Sequence, residues 1–260
     1  MAELPLSVLG LLALMVLVGV GMVVLGLFRL RIILRMYRIG TSDIASLTPG
    51  LGGVEGTAKE HQSTVTAPLS ESACLAYSVE IEHYHHSSEH SDWNTVHTAS
   101  DGEQFVVEDE SSEVTVDPTA CDLRTDASIE DVIEGVPSMP AAFEEYLETE
   151  NVSRTGKNRF TEKRVDPGQD IYVFGPAVSD PESQTPYTFT LTSSDTGKPV
   201  PAEVNGVRDW LRTYWQKSTS PLIIGPQNQF GVSLYYLIGS VFCIVFGVGF
   251  AGIPILGYLH

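Results

Sequence analysis

Two long uncharged stretches constrain this chain more than any other feature, because a helix needs about 20 consecutive apolar residues to cross a bilayer core. Leu4 to Phe28 is the first. The second lies within Phe230 to Tyr258, a run rich in Gly, Val, Ile and aromatic side chains with no charged residue. In lipid such a run satisfies its backbone amides internally only as a helix. Spans at 4–28 and 231–254 are therefore expected. A cleaved leader carries positive charge ahead of its apolar core, whereas only Glu3 precedes this one, so the first stretch reads as a retained span.

Orientation follows from Lys and Arg near the spans, which are enriched on cytoplasmic flanks. The first span exits into Arg29, Arg31, Arg35 and Arg38. The second is approached through Arg208, Arg212 and Lys217, and its far side carries only Leu259 and His260. Both flanks place Ser42 to Leu222 in the cytoplasm of a cell membrane protein and both termini outside.

That central segment holds 32 of the 33 acidic residues and 11 of the 15 basic ones, a net charge of −21. A surface this negative repels phosphate backbones and disfavours nucleic acid as a partner. It fits an acidic partner-binding surface, or a halophilic chain adapted to molar salt, where screening contracts to a few Å and like charges crowd. Five lysines in 260 residues favour the second explanation. Cys74, Cys121 and Cys243 form no CxxC; the last lies inside a span, and in a reducing cytoplasm Cys74 and Cys121 read as small buried residues rather than as a disulfide.

Beyond the first span, Arg31, Arg35 and Arg38 recur at helical spacing opposite Leu30, Ile33, Leu34 and Tyr37. A basic juxtamembrane helix over 29–41 is expected, either lying at the headgroups or continuing straight. Val207, Trp210, Leu211, Tyr214 and Trp215 repeat the spacing, so 206–217 is expected as an interfacial helix, or one packed on the domain core. Arg29, Arg31, Arg35, Arg38, Trp210 and Trp215 are thus candidate membrane-interface residues. In the second span Gly239, Cys243, Gly247 and Ala251 form a small-residue stripe that suits helix packing, within the chain or in a homo-oligomer.

Between the collars, over 45–203, the period is mostly two. Leu75, Tyr77, Val79 and Ile81 alternate with Ala76, Ser78, Glu80 and Glu82 as in a half-buried strand. Further strands are predicted at Gly53 to Glu60, Trp93 to Thr98, Gln104 to Glu108, Glu113 to Asp117, Asp170 to Phe174 and Tyr187 to Thr192. Asp109 to Ser112 reads as a hairpin turn. One helix is predicted at Pro140 to Glu150, with Phe143, Tyr146 and Leu147 on one face and Ser138 as its start signal. Asp126 to Val136 and Asn151 to Phe160 read as polar loops, and Ser179 to Pro186 and Ser193 to Pro201 as surface connections. The sequon Asn151-Val152-Ser153 lies inside by this topology and reads as a loop. The expected fold is an α+β membrane protein: two transmembrane helices flanking a mainly antiparallel, barrel- or sandwich-like domain with one or two short helices.

Candidate chemistry is sparse. His83, His85, His86, His90 and His97 with Glu89 are the one ligand-rich group, and His83 and His85 share a strand face that could present two imidazoles to a metal. No spacing there matches a structural zinc site, and a polar hairpin tip explains the histidines equally simply. There is no GxSxG, Walker A loop, HExxH or pair of CxxC elements. Carboxylate pairs are expected from composition alone. The residues themselves point to no cofactor and to a chain that is not an enzyme.

Four stretches in order carry a family resemblance: GGVEGTAKE (Gly52 to Glu60), TAPLSESACLAYSVEIE (Thr66 to Glu82), FVVEDESSEVTVDPTAC (Phe105 to Cys121) and TEKRVDPGQDIYVFGPA (Thr161 to Ala177). With the two flanking spans they resemble the GIDE, or beside-a-membrane, domain family, here of a haloarchaeal type. Matching the family pattern singles out Pro68, Cys74, Tyr77, Phe105, Asp109, Glu162, Gly168 and Gly175, mostly as packing and turn positions. The family's eukaryotic ligase, a mitochondrial RING-type ubiquitin transferase, continues past its second span into a RING, whereas this sequence stops at His260. The resemblance therefore implies a non-catalytic recruitment scaffold that binds the bilayer and another cytoplasmic or membrane protein. Its alternatives are a ubiquitin-transferase-like role in protein modification, which would need a carrier site such as Cys74 or Cys121, and a histidine-based metal sensor.

Overall fold

Alternation and helical periodicity sort the chain into two units in the computed structural model, which describes residues 6–86, 91–134, 139–153, 156–179, 189–193, 222–226 and 229–259. One unit is Met1–Ile39 with Phe230–His260, and the other is Gly40–Gln229. Three α-helices occur among the described residues: α1 (Leu6–Ile39), α2 (Ala141–Thr149) and α3 (Gln229–Leu259).

In the helical unit, Gly10–Ile39 is long and apolar enough to cross a membrane, and the described apolar stretch of α3 is Leu237–Gly252. The pair runs antiparallel, and small residues set the approach. A Cβ added at Gly19 would lie 2.6 Å from the Gly247 carbonyl oxygen and 2.7 Å from the Ala251 nitrogen. One added at Gly26 would lie 2.9 Å from the Ser240 carbonyl and 3.2 Å from Cys243 Cβ, and one at Gly239 would meet the Arg29 guanidinium. Without side chains at these points the backbones pack directly, the usual device of membrane helix pairs.

The basic extension is part of α1 itself, which continues unbroken to Ile39. Its expected apolar stripe is corrected. Ile32, Ile33 and Met36 are buried, while Leu34 and Tyr37 are 56% and 63% exposed. The reason is the seven-residue seam through Gly19 and Gly26, which brings Ile33 to the inner face and turns Leu34 and Tyr37 outward.

In the second unit, β1 (Gly50–Glu60) pairs with β6 (Phe105–Glu108), β6 with β7 (Glu113–Val116), and β7 with β12 (Phe189–Leu191). β12 pairs with β11 (Asp170–Ser179), which returns to β1, so the sheet closes into a barrel. β13 (Ile223–Pro226) and β8 (Asp122–Leu123) extend it beyond β11. Val54, Phe105, Val107, Val116, Ile171 and Val173 fill the interior, all fully buried.

The second layer is a four-stranded antiparallel sheet in the order β5 (Ser91–Gly102), β4 (Ala76–His86), β10 (Lys157–Val165) and β9 (Ala127–Glu134). Val79, Ile81, Ile133 and Phe160 pack against Phe143, Tyr146 and Leu147 of α2, where the predicted helical spacing holds. Between the layers a short hairpin, β2 (Val65–Thr66) with β3 (Ala73–Cys74), carries the chain from Leu69 in this core to Leu75 in the barrel core.

Helix α2 follows Pro140, which makes no side-chain cap, and the predicted start signal Ser138 lies outside the described residues. It ends where Asn151 adopts φ +54°, and Val152 N–H donates to the Leu147 carbonyl while Asn151 N–H donates to that of Glu148. Asparagine tolerates this left-handed closure, and Val152 packs back on the same core as Leu147. The sequon asparagine is thus a helix-terminating residue.

Two predicted loops are strands. Asp126 to Val136 contains β9, and Asn151 to Phe160 contains the start of β10. β9 is exposed except at Ile129 and Ile133, so main-chain pairing to β10 defines it without an apolar stripe. β10 does alternate, but two of its buried positions are Asn158 and Glu162, which hide the period from a hydrophobicity reading.

Candidate functional site

The family-like positions fall on the framework. Phe105 lies in the barrel core, Gly168 sits at φ +84° with its N–H on the Ala58 carbonyl, and a Cβ at Gly175 would lie 2.7 Å from Leu222 Cδ1. Pro68 is half-buried in the linking hairpin, and half-buried Tyr77 packs against the α2 core. Burial, with Asp101 nearby, raises the Tyr77 hydroxyl above its ordinary pKa.

Asp109 organises the barrel rim. Its Oδ1 accepts from Ser111 N–H at 2.7 Å, the Ser111 hydroxyl at 2.6 Å and Ser112 N–H at 2.8 Å, and its Oδ2 accepts from Ile44 N–H at 2.8 Å. Partial burial opposes ionisation, but these donors outweigh it and hold the carboxyl at about 2, below the usual 3.8. Folding therefore favours ionised Asp109. Its contribution is complete above about pH 4 and is lost as pH falls through 4 towards 2. Asp109→Ala is expected to lower stability by about 1–2 kcal/mol at pH 7 and to flatten that acid limb, measurable by urea titration between pH 7 and pH 3.

Glu162, fully buried, uses Oε2 to accept from the N–H groups of Leu69 at 2.8 Å and Ser70 at 3.2 Å. Its Oε1 lies 3.9 Å from the Arg164 guanidinium, outside hydrogen-bond range. Cys74 is enclosed nearby. Burial, with Asp166 and Glu162 adding to it and Arg164 opposing, raises its thiol to about 11. Thiolate is the reactive form, so Cys74 is poorly suited as an acyl carrier. Iodoacetamide at pH 8 is expected to modify it at least ~10-fold more slowly in native than in denatured protein, as read by intact mass.

At the histidine segment, His83 Nδ1 lies 3.0 Å from Asn158 Oδ1, and the His83 and His85 rings are 5.7 Å apart edge to face. His97 Nε2 is instead 2.9 Å from the Tyr146 hydroxyl under the sheet. His90 and the His86 side chain lie outside the described residues, as do Trp210, Trp215 and the expected 206–217 helix. Among the described residues no group of three His, Cys, Asp or Glu side chains could hold a metal ion. Arg31 and Arg38 are exposed and Arg35 half-buried on α1, with Arg29 beside Gly239; Cys243, Gly247 and Ala251 face α1.

A surface that the sequence did not mark is the outer face of the four-stranded sheet. Strand register puts Lys157, Arg159, Thr161 and Lys163 of β10 in line, beside Tyr84, Glu82, Glu80 and Ser78 of β4. At the hairpin end the Arg159 guanidinium stacks 4.2 Å from the Trp93 ring and bonds Glu82 at 2.8 Å, and Lys157 lies over Tyr84 at 5.4 Å. At the other end, residues 121–124, including β8, wall off a groove of about 330 Å³ above Ser78, Thr98, Ser100, Thr161 and Lys163. Of the six described cations of Gly40–Gln229, four lie here (Arg124, Lys157, Arg159, Lys163); Lys59 and Arg164 lie elsewhere. Glu80 and Glu82 of β4 and Glu130 and Glu134 of β9 stand in register with β10 on this side, so the face is one of mixed charge. A period-two count in β10 would have found it, had the strand itself been legible.

Residues 78–196, which span this sheet and most of the barrel, match a family model, GIDE, described as E3 Ubiquitin ligase. No curated protein and no solved structure matches the chain.

Proposed function

We propose, from the premise that residues 78–196 are a GIDE domain, that this chain is a membrane-tethered recruitment module that gathers a partner protein for modification at the cytoplasmic face. The observation that carries the proposal is the attachment of a ligase-associated domain to an apolar helix able to span a membrane. The two-pass topology, with both termini outside, belongs to the same proposal. Its support is that α3 pairs with α1 through Gly247 and Ala251, while Ile238, Val241, Phe242, Val245 and Val248 face outward at 51–63% exposure, which suits lipid far better than water.

A resident ubiquitin-transferase-like activity is the second reading, favoured by the family's description as a ligase. Against a thioester route stands the enclosure of Cys74, whose raised pKa leaves little thiolate. In-membrane crosslinking with mass spectrometry at native salt separates the readings from failure. A reproducible soluble partner crosslinked to the domain supports recruitment, and recovery of only lipid and self contacts removes it. Transfer of a ubiquitin-like modifier by the purified chain from a charged carrier would establish the second reading.

A further inference from the structure

We propose that Arg29 and Arg31, where the apolar stretch of α1 ends, form a site for the phosphate of anionic phospholipids; this rests on the membrane tether of the reading above and names the lipid class that the tether selects. Three observations carry it. First, positive charge in the helical unit is uncompensated. Arg29, Arg31, Arg35 and Arg38 crowd one end of α1, the single acidic residue of the unit is Glu3 before the other end, and α3 carries no charged side chain. Four cations of the β-rich unit are neutralised locally, Lys59 by Glu108, Arg124 by Asp122, Arg159 by Glu82 and Arg164 by Asp166. Among the described residues neither Arg29 nor Arg31 has a carboxylate partner, and both are exposed. Arg38 has a role within the helix, since it lies in the last turn, where a cation offsets the C-terminal dipole. Arg29 and Arg31 stand at least two turns before that end, outside the dipole's reach.

Second, the depth suits a phosphate. From Leu6 to Phe28 α1 carries no charged side chain, a length of about 34 Å at about 1.5 Å per residue, against about 30 Å for a bilayer core. Arg29 and Arg31 follow at once, so they enter the layer in which headgroup phosphates lie. Helical side chains lean towards the N-terminus, which here means back towards the apolar stretch, and this brings the Arg31 guanidinium to its edge.

Third, Arg29 is held in place. Its guanidinium lies across α3 at Gly239, where an added Cβ would come 2.9 Å from Nη1. A cation laid on an uncharged helix at the edge of the hydrocarbon needs an anion from outside the helix pair. A guanidinium takes phosphate oxygens two at a time. A zwitterionic headgroup brings an ammonium as well, and neither helix has a carboxylate at this end to receive it, whereas a headgroup of net negative charge completes the site.

The test places the full chain in nanodiscs of equimolar phosphatidylcholine and phosphatidylglycerol, whose two open faces make orientation irrelevant. Lipids that stay bound on return to detergent are counted by native mass spectrometry. Phosphatidylglycerol is expected to be retained at least ~5-fold over phosphatidylcholine. Arg29→Gln with Arg31→Gln should abolish the preference, Arg29→Lys with Arg31→Lys should keep most of it, and Arg38→Gln should leave it unchanged, with unchanged Tm confirming that each variant folds. Equal retention of the two lipids, indifference to the glutamine pair, or loss of the preference in the lysine pair at unchanged Tm overturns the site. Loss in Arg38→Gln alone overturns the assignment to Arg29 and Arg31. Displacement of the lipid by millimolar inorganic phosphate would overturn it in favour of a free-anion site. In the lysine pair, carbodiimide coupling of the introduced amines to carboxylates of Gly40–Gln229 would overturn it in favour of pairing with the chain's own acidic domain. A chain that enters nanodiscs of phosphatidylcholine alone and shows no preference in the mixture loses the lipid site and keeps the tether. A chain that enters neither loses the tether, and the site with it.

Discussion

Phe160→Ala is expected to lower the unfolding free energy of the β-rich unit by about 3–5 kcal/mol, a substantial part of the roughly 5–15 kcal/mol that holds a domain of this size together. Phe160 is fully buried on β10, the strand that pairs with both β4 and β9, and its ring centre lies 4.9 Å from that of Phe143 on α2. Truncation leaves a void between sheet and helix that β10 cannot collapse into, because its backbone is fixed on both edges. The loss should appear as a lower urea midpoint with an unchanged denaturant slope. Hydrogen exchange locates it. Val79, Ile81 and Leu147 amides should lose protection by several orders of magnitude, while Val107 and Val173 in the barrel change less. Phe160→Leu keeps most of the volume and should cost about 1 kcal/mol.

The same strand explains which parts of the fold were legible in sequence. Where one face is uniformly apolar, as in Val79 and Ile81 of β4 or Val114 and Val116 of β7, period two is visible and the strand was predicted close to its true place. In β10 the buried face reads Asn158, Phe160, Glu162, and two polar residues in three cancel the signal. β9 fails for the opposite reason, since an exposed edge strand needs only its backbone to pair and its side chains carry little pattern. The barrel closure and the sheet order are long-range pairings, of which sequence carries no local trace. The outer face of the sheet was hidden twice over, because it belongs to an unrecognised strand and its groove is completed by residues 121–124, distant in the chain. The family-like positions, by contrast, were legible and landed on turns and cores, where Asp109, Gly168 and Gly175 each satisfy a specific geometric demand.

Glu162→Ala tests the most demanding of those positions. The carboxyl on β10 reaches across to the hairpin between the layers and accepts both Leu69 and Ser70 N–H. That hairpin carries Leu69 into the α2 core and Leu75 into the barrel core, so one side chain fixes the segment that joins them. Alanine leaves two main-chain donors without their acceptor, one of them in a buried bond, and a buried donor left unsatisfied loses about 1–3 kcal/mol. The carboxyl is itself sealed from water with one oxygen outside any hydrogen bond, and removing it relieves part of its own desolvation. The two contributions oppose, and the net destabilisation is expected at about 2–4 kcal/mol because two donors outnumber one unpartnered acceptor oxygen. Glu162→Gln keeps a carbonyl oxygen for Leu69 and should lose only about half as much. Exchange at the Leu69 and Ser70 amides, accelerated in Glu162→Ala and largely restored in Glu162→Gln, checks the assignment directly. Equal acceleration in both variants would mean that charge, and not an acceptor at that point, holds the hairpin. Retained protection in Glu162→Ala would mean that the hairpin needs neither.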